Sequence, residues 1–171
     1  MGLAGRQNAG LILAMLLVPG AVRGGSNVWT SLGPDGGYVH ALAIDPQNSQ
    51  TVYASMDTGL FKTTDGGANW SALRPGLRGH PAILKLVIDP QNPGTLYAGL
   101  AGPGGVFKSD DGGMTWNQAG LSDAFSPIGS LAIDPRNPQT LYAGMHTGIF
   151  KTTDGGQTWT AAGSGLPSLT N

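Results

Sequence analysis

The chain has 171 residues, 40% of them apolar and only 11% charged, with a net charge of −1, 29 glycines, 12 prolines and no cysteine. Its nine basic residues are scattered, which excludes the basic stripe that nucleic acid or an anionic membrane surface requires. Abundant glycine and proline favour short strands and tight turns over long helices, and without cysteine the fold stands on packing alone, with no disulfides.

The first 24 residues read as a secretory signal. Arg6 precedes the apolar run LILAMLLV at 11–18, and PGAVRGG follows, with cleavage expected after Gly24. The run is shorter than the roughly 20 apolar residues that span a bilayer. The expectation is a secreted or periplasmic protein with no membrane span, whose remaining domain covers 27–171.

Next comes NVWTSL at 27–32, an orphan strand that reads as the last strand of a unit whose first three are missing. From there the sequence repeats. ALAIDPQNSQTVYASMDTGLFKTTDGGANW occupies 41–70, KLVIDPQNPGTLYAGLAGPGGVFKSDDGGMTW 85–116 and SLAIDPRNPQTLYAGMHTGIFKTTDGGQTW 130–159. Ile44, Ile88 and Ile133 set a spacing of 44 and then 45 residues, a period characteristic of solenoids and propellers. In the first unit four short strands are expected, at 40–44, 51–55, 60–64 and 70–73, punctuated by Pro, Asn, Asp and Gly. No unit has an uninterrupted 3.6-residue period long enough for a helix. Four-stranded meanders at this spacing are β-propeller blades, here about 40–73, 84–119 and 129–162. The fold class expected is therefore all-β: a propeller segment of three blades plus one orphan strand, an incomplete ring. The missing blades would come from the same polypeptide or from a second chain.

The most repetitive stretch is the third strand, its hairpin turn and the start of the fourth. Asp-Gly-Gly supplies the positive φ of a tight turn, the aspartate can accept backbone N–H bonds within it, and the tryptophan is large enough to wedge between sheets. A catalytic group is needed once per site, a joint once per blade. Three copies therefore point to a structural role for Asp65, Gly67 and Trp70, for Asp111, Gly113 and Trp116, and for Asp154, Gly156 and Trp159. The same reasoning makes Asp45, Asp89 and Asp134 turn residues, and leaves Lys62, Lys108 and Lys151 on solvated strand faces or paired with nearby aspartates.

The pattern Ser/Thr-x-Asp-x-Gly-x-x-Trp, at Thr63–Trp70, Ser109–Trp116 and Thr152–Trp159, resembles the Asp-box, or bacterial neuraminidase repeat. The resemblance covers 27–163. It implies a propeller and leaves function open, since sialidases, xyloglucan-cleaving hydrolases, sortilin-type receptors and the photosystem II assembly factor share it. In those families the box is structural and lies away from the active site. A sialidase would need an arginine triad and a Tyr/Glu pair. Every acidic residue here is aspartate, and Arg74, Arg78 and Arg136 sit at unequal blade positions.

In a meander, successive turns alternate between the two ends of the strands. One end carries the repeated DPQN and DGG turns; the other carries loops that vary between units, where binding residues concentrate. That end would present Asp35, Tyr38, Asp57, Arg74, Arg78, His80, Asp123, Phe125 and His146. His40, His80 and His146 lack metal-ligand spacing, and no nucleotide loop or Ser-His-Asp signature is present, so neither metal nor cofactor is expected. Tyr53-Ala54-x-x-Asp57-x-Gly59 resembles the first blade of the xyloglucan-cleaving hydrolases, which implies for Asp57 the role of one of two catalytic carboxylates. Inverting hydrolysis requires a partner about 6.5–9.5 Å away, and Asp35 is the one local candidate. The leading expectation is a binding or scaffold module for a glycan or protein, with a fragment of a secreted glycoside hydrolase as the alternative and an assembly chaperone as a third reading by fold analogy.

Overall fold

A computed structural model of the chain describes residues 33–34, 37–73, 82–102, 105–122 and 126–164. The expected signal at 1–24, the strand at 27–32, and Asp35, Arg74, Arg78, His80, Asp123 and Phe125 lie outside the described residues. Among those described, β-branched and aromatic residues set the strands, and Asp-Pro and Gly-Gly pairs end them.

The first blade is β1 (Val39–Ile44), β2 (Val52–Met56), β3 (Gly59–Thr63) and β4 (Ser71–Leu73). The second is β5 (Ile83–Ile88), β6 (Leu96–Leu100), β7 (Val106–Ser109) and β8 (Asn117–Gln118). The third is β9 (Ser130–Ile133), β10 (Leu141–Met145), β11 (Gly148–Thr152) and β12 (Thr160–Ala161). Each blade is a four-stranded antiparallel meander in sequence order, and β1, β5 and β9 lie side by side. The architecture is the all-β propeller segment that the repeat implies, and in the first blade the strand ends fall within one residue of expectation.

Alternation along the strands gives every blade two distinct faces. Ala41, Ala43, Tyr53, Leu60 and Leu73 of the first blade pack against Leu86, Ile88, Leu96, Ala98, Phe107 and Trp116 of the second. The second blade then turns Val87, Tyr97, Val106 and Ala119 toward Leu131, Ile133, Leu141, Ala143, Phe150 and Trp159 of the third. The core is therefore divided into two layers, each filled from both sides, and burying one such Leu or Phe side chain contributes about 1.5–3 kcal/mol.

The box residues sit in these layers. In all three copies the Ser/Thr hydroxyl is buried and bridges the turn. It donates to the box aspartate at 2.7, 2.8 and 2.6 Å, and accepts from the amide of the second glycine at 3.0, 2.9 and 3.0 Å. Both glycines of each pair have positive φ, from 69° to 96°, a region that side chains disfavour. Trp116 donates its indole N–H to the Gly113 carbonyl at 3.0 Å, whereas Trp159 reaches back to the Ala119 carbonyl of the second blade at 2.8 Å.

The repeated lysines make a contact beyond the aspartate pairing or solvated face expected of them. Cross-strand register sets Lys62 opposite Tyr53, Lys108 opposite Tyr97 and Lys151 opposite Tyr142. Each ammonium lies over its tyrosine ring, 5.0, 5.9 and 5.3 Å from the centroid, in cation–π range. Among the described residues, Lys108 also pairs with an aspartate, Asp110, at 3.0 Å.

Candidate functional site

Tyr38, Asp57 and His146 are the described members of the expected binding face. Asp57 and Thr58 form the two-residue turn between β2 and β3, closed by the Met56–Gly59 pair. Tyr38 immediately precedes β1, and Val39 pairs with Met56, so both lie at the end of the blade opposite the Asp-box turn. His146 occupies the corresponding turn of the third blade, with its amide donating to Ser126 Oγ at 3.1 Å, and takes no part in the Asp57 cluster.

That cluster contains a residue the sequence did not mark. His40 Nε2 lies 2.6 Å from Asp57 Oδ1, and the Tyr38 amide donates to Asp57 Oδ2 at 3.1 Å. The register between β1 and β2 shifts between Val39 and Ala41. This bulge takes His40 out of strict alternation, as bulges near functional sites do. Histidine at the start of a strand gives no such warning. The available signal was the paired register, which sets residue 40 beside the end of β2.

Gly37 completes the cradle. Its φ is +99°, and a Cβ there would sit 3.0 Å from Asp57 Oδ2, so glycine allows the loop to close on the carboxylate. The hydrogen bond from His40 and then the one from the Tyr38 amide hold the Asp57 carboxyl below the usual carboxylate range. Both bonds favour the ionised form. The result is a half-exposed anion, fixed in direction, bound by the amide of Tyr38, a residue that is itself 80% exposed. Such a pair can accept hydrogen bonds from hydroxyl groups while an aromatic face covers an apolar ring surface. Among the described residues, the groups that hydrogen-bond Asp57 are the His40 ring and the Tyr38 amide.

The other end of the molecule differs. Asp65 and Asp111 have carboxyls lowered to about 2, chiefly by hydrogen bonds from Asn69 and Thr115, and Asp154 lies lower still through Thr152 and Thr158. All their partners belong to their own turns. A polar cleft of about 400 Å³ opens there between the second and third blades, lined in part by Lys108, Asp110, Asp154 and Gln157. Among the described residues no group of three or more His, Cys, Asp or Glu is placed to hold a metal, and no helix is long and apolar enough to cross a membrane.

The BNR/Asp-box repeat family matches residues 150–161. Over 96 residues, 47% of this chain, the sequence is 30% identical to a xyloglucanase of Hypocrea jecorina, and it covers 12% of that protein. The crystal structure of a GH74 enzyme from Niastella koreensis superposes with a TM-score of 0.57 at 30% identity, over 72% of this chain and 22% of that one. YCF48 from Cyanidioschyzon merolae shares the fold, with a TM-score of 0.58 at 16% identity over 75% of this chain and 38% of its own. The chain spans about a tenth of the length of the curated relatives it matches. The chain thus carries an Asp-box repeat that matches the family at 150–161, repeats the same motif twice more, and has the fold of a β-propeller segment.

Proposed function

We propose that this chain is an exported carbohydrate-recognition module that binds a β-glucan of xyloglucan type at the blade end carrying Tyr38, His40 and Asp57. The Asp-boxes, at the opposite end, act as joints between blades. The observation that carries the reading is the Asp57 anion oriented by His40 and by the amide of the exposed Tyr38. The likeness to xyloglucanases supplies the substrate class.

In this reading Tyr38 stacks on a pyranose ring and Asp57 accepts sugar hydroxyls, with His40 holding its direction. Calorimetric titration with xyloglucan oligosaccharides tests it. Tyr38→Ala is expected to weaken binding about 10-fold, the upper range of an aromatic contact. Binding unchanged in that variant, or absent in the unaltered chain, rejects the reading.

Hydrolysis is the second reading, favoured by the hydrogen bonds that keep the Asp57 carboxyl ionised, the form a general base must start from. It requires a second carboxylate across a water. Release of reducing ends from xyloglucan, lost in Asp57→Asn with binding retained, would support it.

A further inference from the structure

Among the described residues, the joint between blades is made twice, and each of its two halves is also present once on an exposed face. In the made joints, the tyrosine of one blade is covered by the box turn of the next: Tyr53 and Tyr97 are 2% and 1% exposed, and Gly155 is buried against Tyr97. Leu86 and Ile88, on the receiving face of the second blade, are each 7% exposed. At the outer face of the third blade the equivalent Tyr142 is 41% exposed, with Lys151 over its ring. At the outer face of the first blade Leu42 and Ile44 are 63% and 60% exposed, and Gly66 of its box turn is exposed as well.

We propose that these two faces bind each other between two copies of this chain, head to tail, through the joint chemistry each copy already uses internally. Tyr142 of one copy would stand to Gly66 of the other as Tyr97 stands to Gly155, where the hydroxyl donates to the carbonyl. Leu42 and Ile44 would be covered as Leu86 and Ile88 are. The occupant is a second copy because both complementary halves belong to one sequence, and their internal counterparts set the fit. The contact is heterologous, since different patches meet, and such contacts either close or propagate. Two copies bring six blades, within the 4–8 typical of closed propellers. This association stands independently of any glycan.

Light scattering on the full chain after size exclusion is the test. The mass expected is twice the 17.4 kDa of one chain. Ile44→Asp and Tyr142→Ala are each expected to halve it while keeping the β circular-dichroism spectrum; Leu42→Lys replaces the first if its spectrum is lost. Mixing Ile44→Asp with Tyr142→Ala restores the doubled mass, because one variant keeps an intact third blade and the other an intact first blade. A larger mass that collapses with either variant also supports the contact. A single-chain mass for the unaltered protein overturns the proposal, and so does association that survives in the double variant.

Discussion

The Tyr97 hydroxyl donates a 3.1 Å hydrogen bond to the Gly155 carbonyl, crossing from the second strand of one blade to the box turn of the next. Burial, with smaller contributions from Asp110, Asp89 and Asp154, pushes the phenol up to about 12. Tyr97→Phe is expected to lower unfolding free energy by about 1–2 kcal/mol, since a buried carbonyl loses its donor. Tyr97→Ala should cost about 3–5 kcal/mol through the cavity it leaves. Urea unfolding measures both. The phenol ionises more easily in the unfolded chain, so its contribution is full below pH 10 and is lost as pH rises toward 12. The alkaline fall in stability should be smaller in Tyr97→Phe.

Acid acts on the box aspartates with the opposite sign. Asp65 and Asp111 have folded-state values of about 2 against an ordinary 3.8. Their contribution is present above pH 3.8 and is lost as pH falls toward 2. Asp111→Asn should lower the melting temperature at pH 7 and flatten its decline between pH 4 and pH 2. A decline as steep as that of the unaltered chain would show that the turn bonds of Asp111 do not stabilise the fold.

Gly120 tests the closeness of the second and third blades. Its φ is +64°, and a Cβ would lie 2.5 Å from the Gln157 carbonyl oxygen and 2.6 Å from that of Gly156. The obstacle is backbone, so it cannot swing aside. Gly120→Ala is expected to cost more than about 1 kcal/mol, measured by thermal unfolding, with no change at the Tyr38 end.

Gly37 tests the other end. Gly37→Ala combines a strained φ of +99° with a Cβ 3.0 Å from Asp57 Oδ2, so the carboxylate must shift. Xyloglucan oligosaccharide affinity should fall several-fold, with about 1 kcal/mol lost in stability, as read by titration and melting on the same sample.

The fold was legible because its signals are local and repeated. Asp-Pro and Asp-Gly-Gly mark turns wherever they occur, and Leu-Tyr-Ala and Phe-Lys runs alternate between faces. The role of the lysines was not, since Lys62 lies over Tyr53 only because register sets the two opposite. The site was legible only in part. Tyr38 and Asp57 could be assigned to one end by counting turns. The pairing of Asp57 with His40 depends on a bulge that single-strand periodicity does not encode.

The most direct test of the separation between the two ends compares Asp111→Asn with Asp57→Asn, titrating each with xyloglucan oligosaccharide and melting each in parallel. Asp111→Asn is expected to melt lower and bind as the unaltered chain does, whereas Asp57→Asn melts nearly unchanged and loses most of its affinity. Loss of affinity in Asp111→Asn without loss of stability, or full affinity in Asp57→Asn, would contradict it.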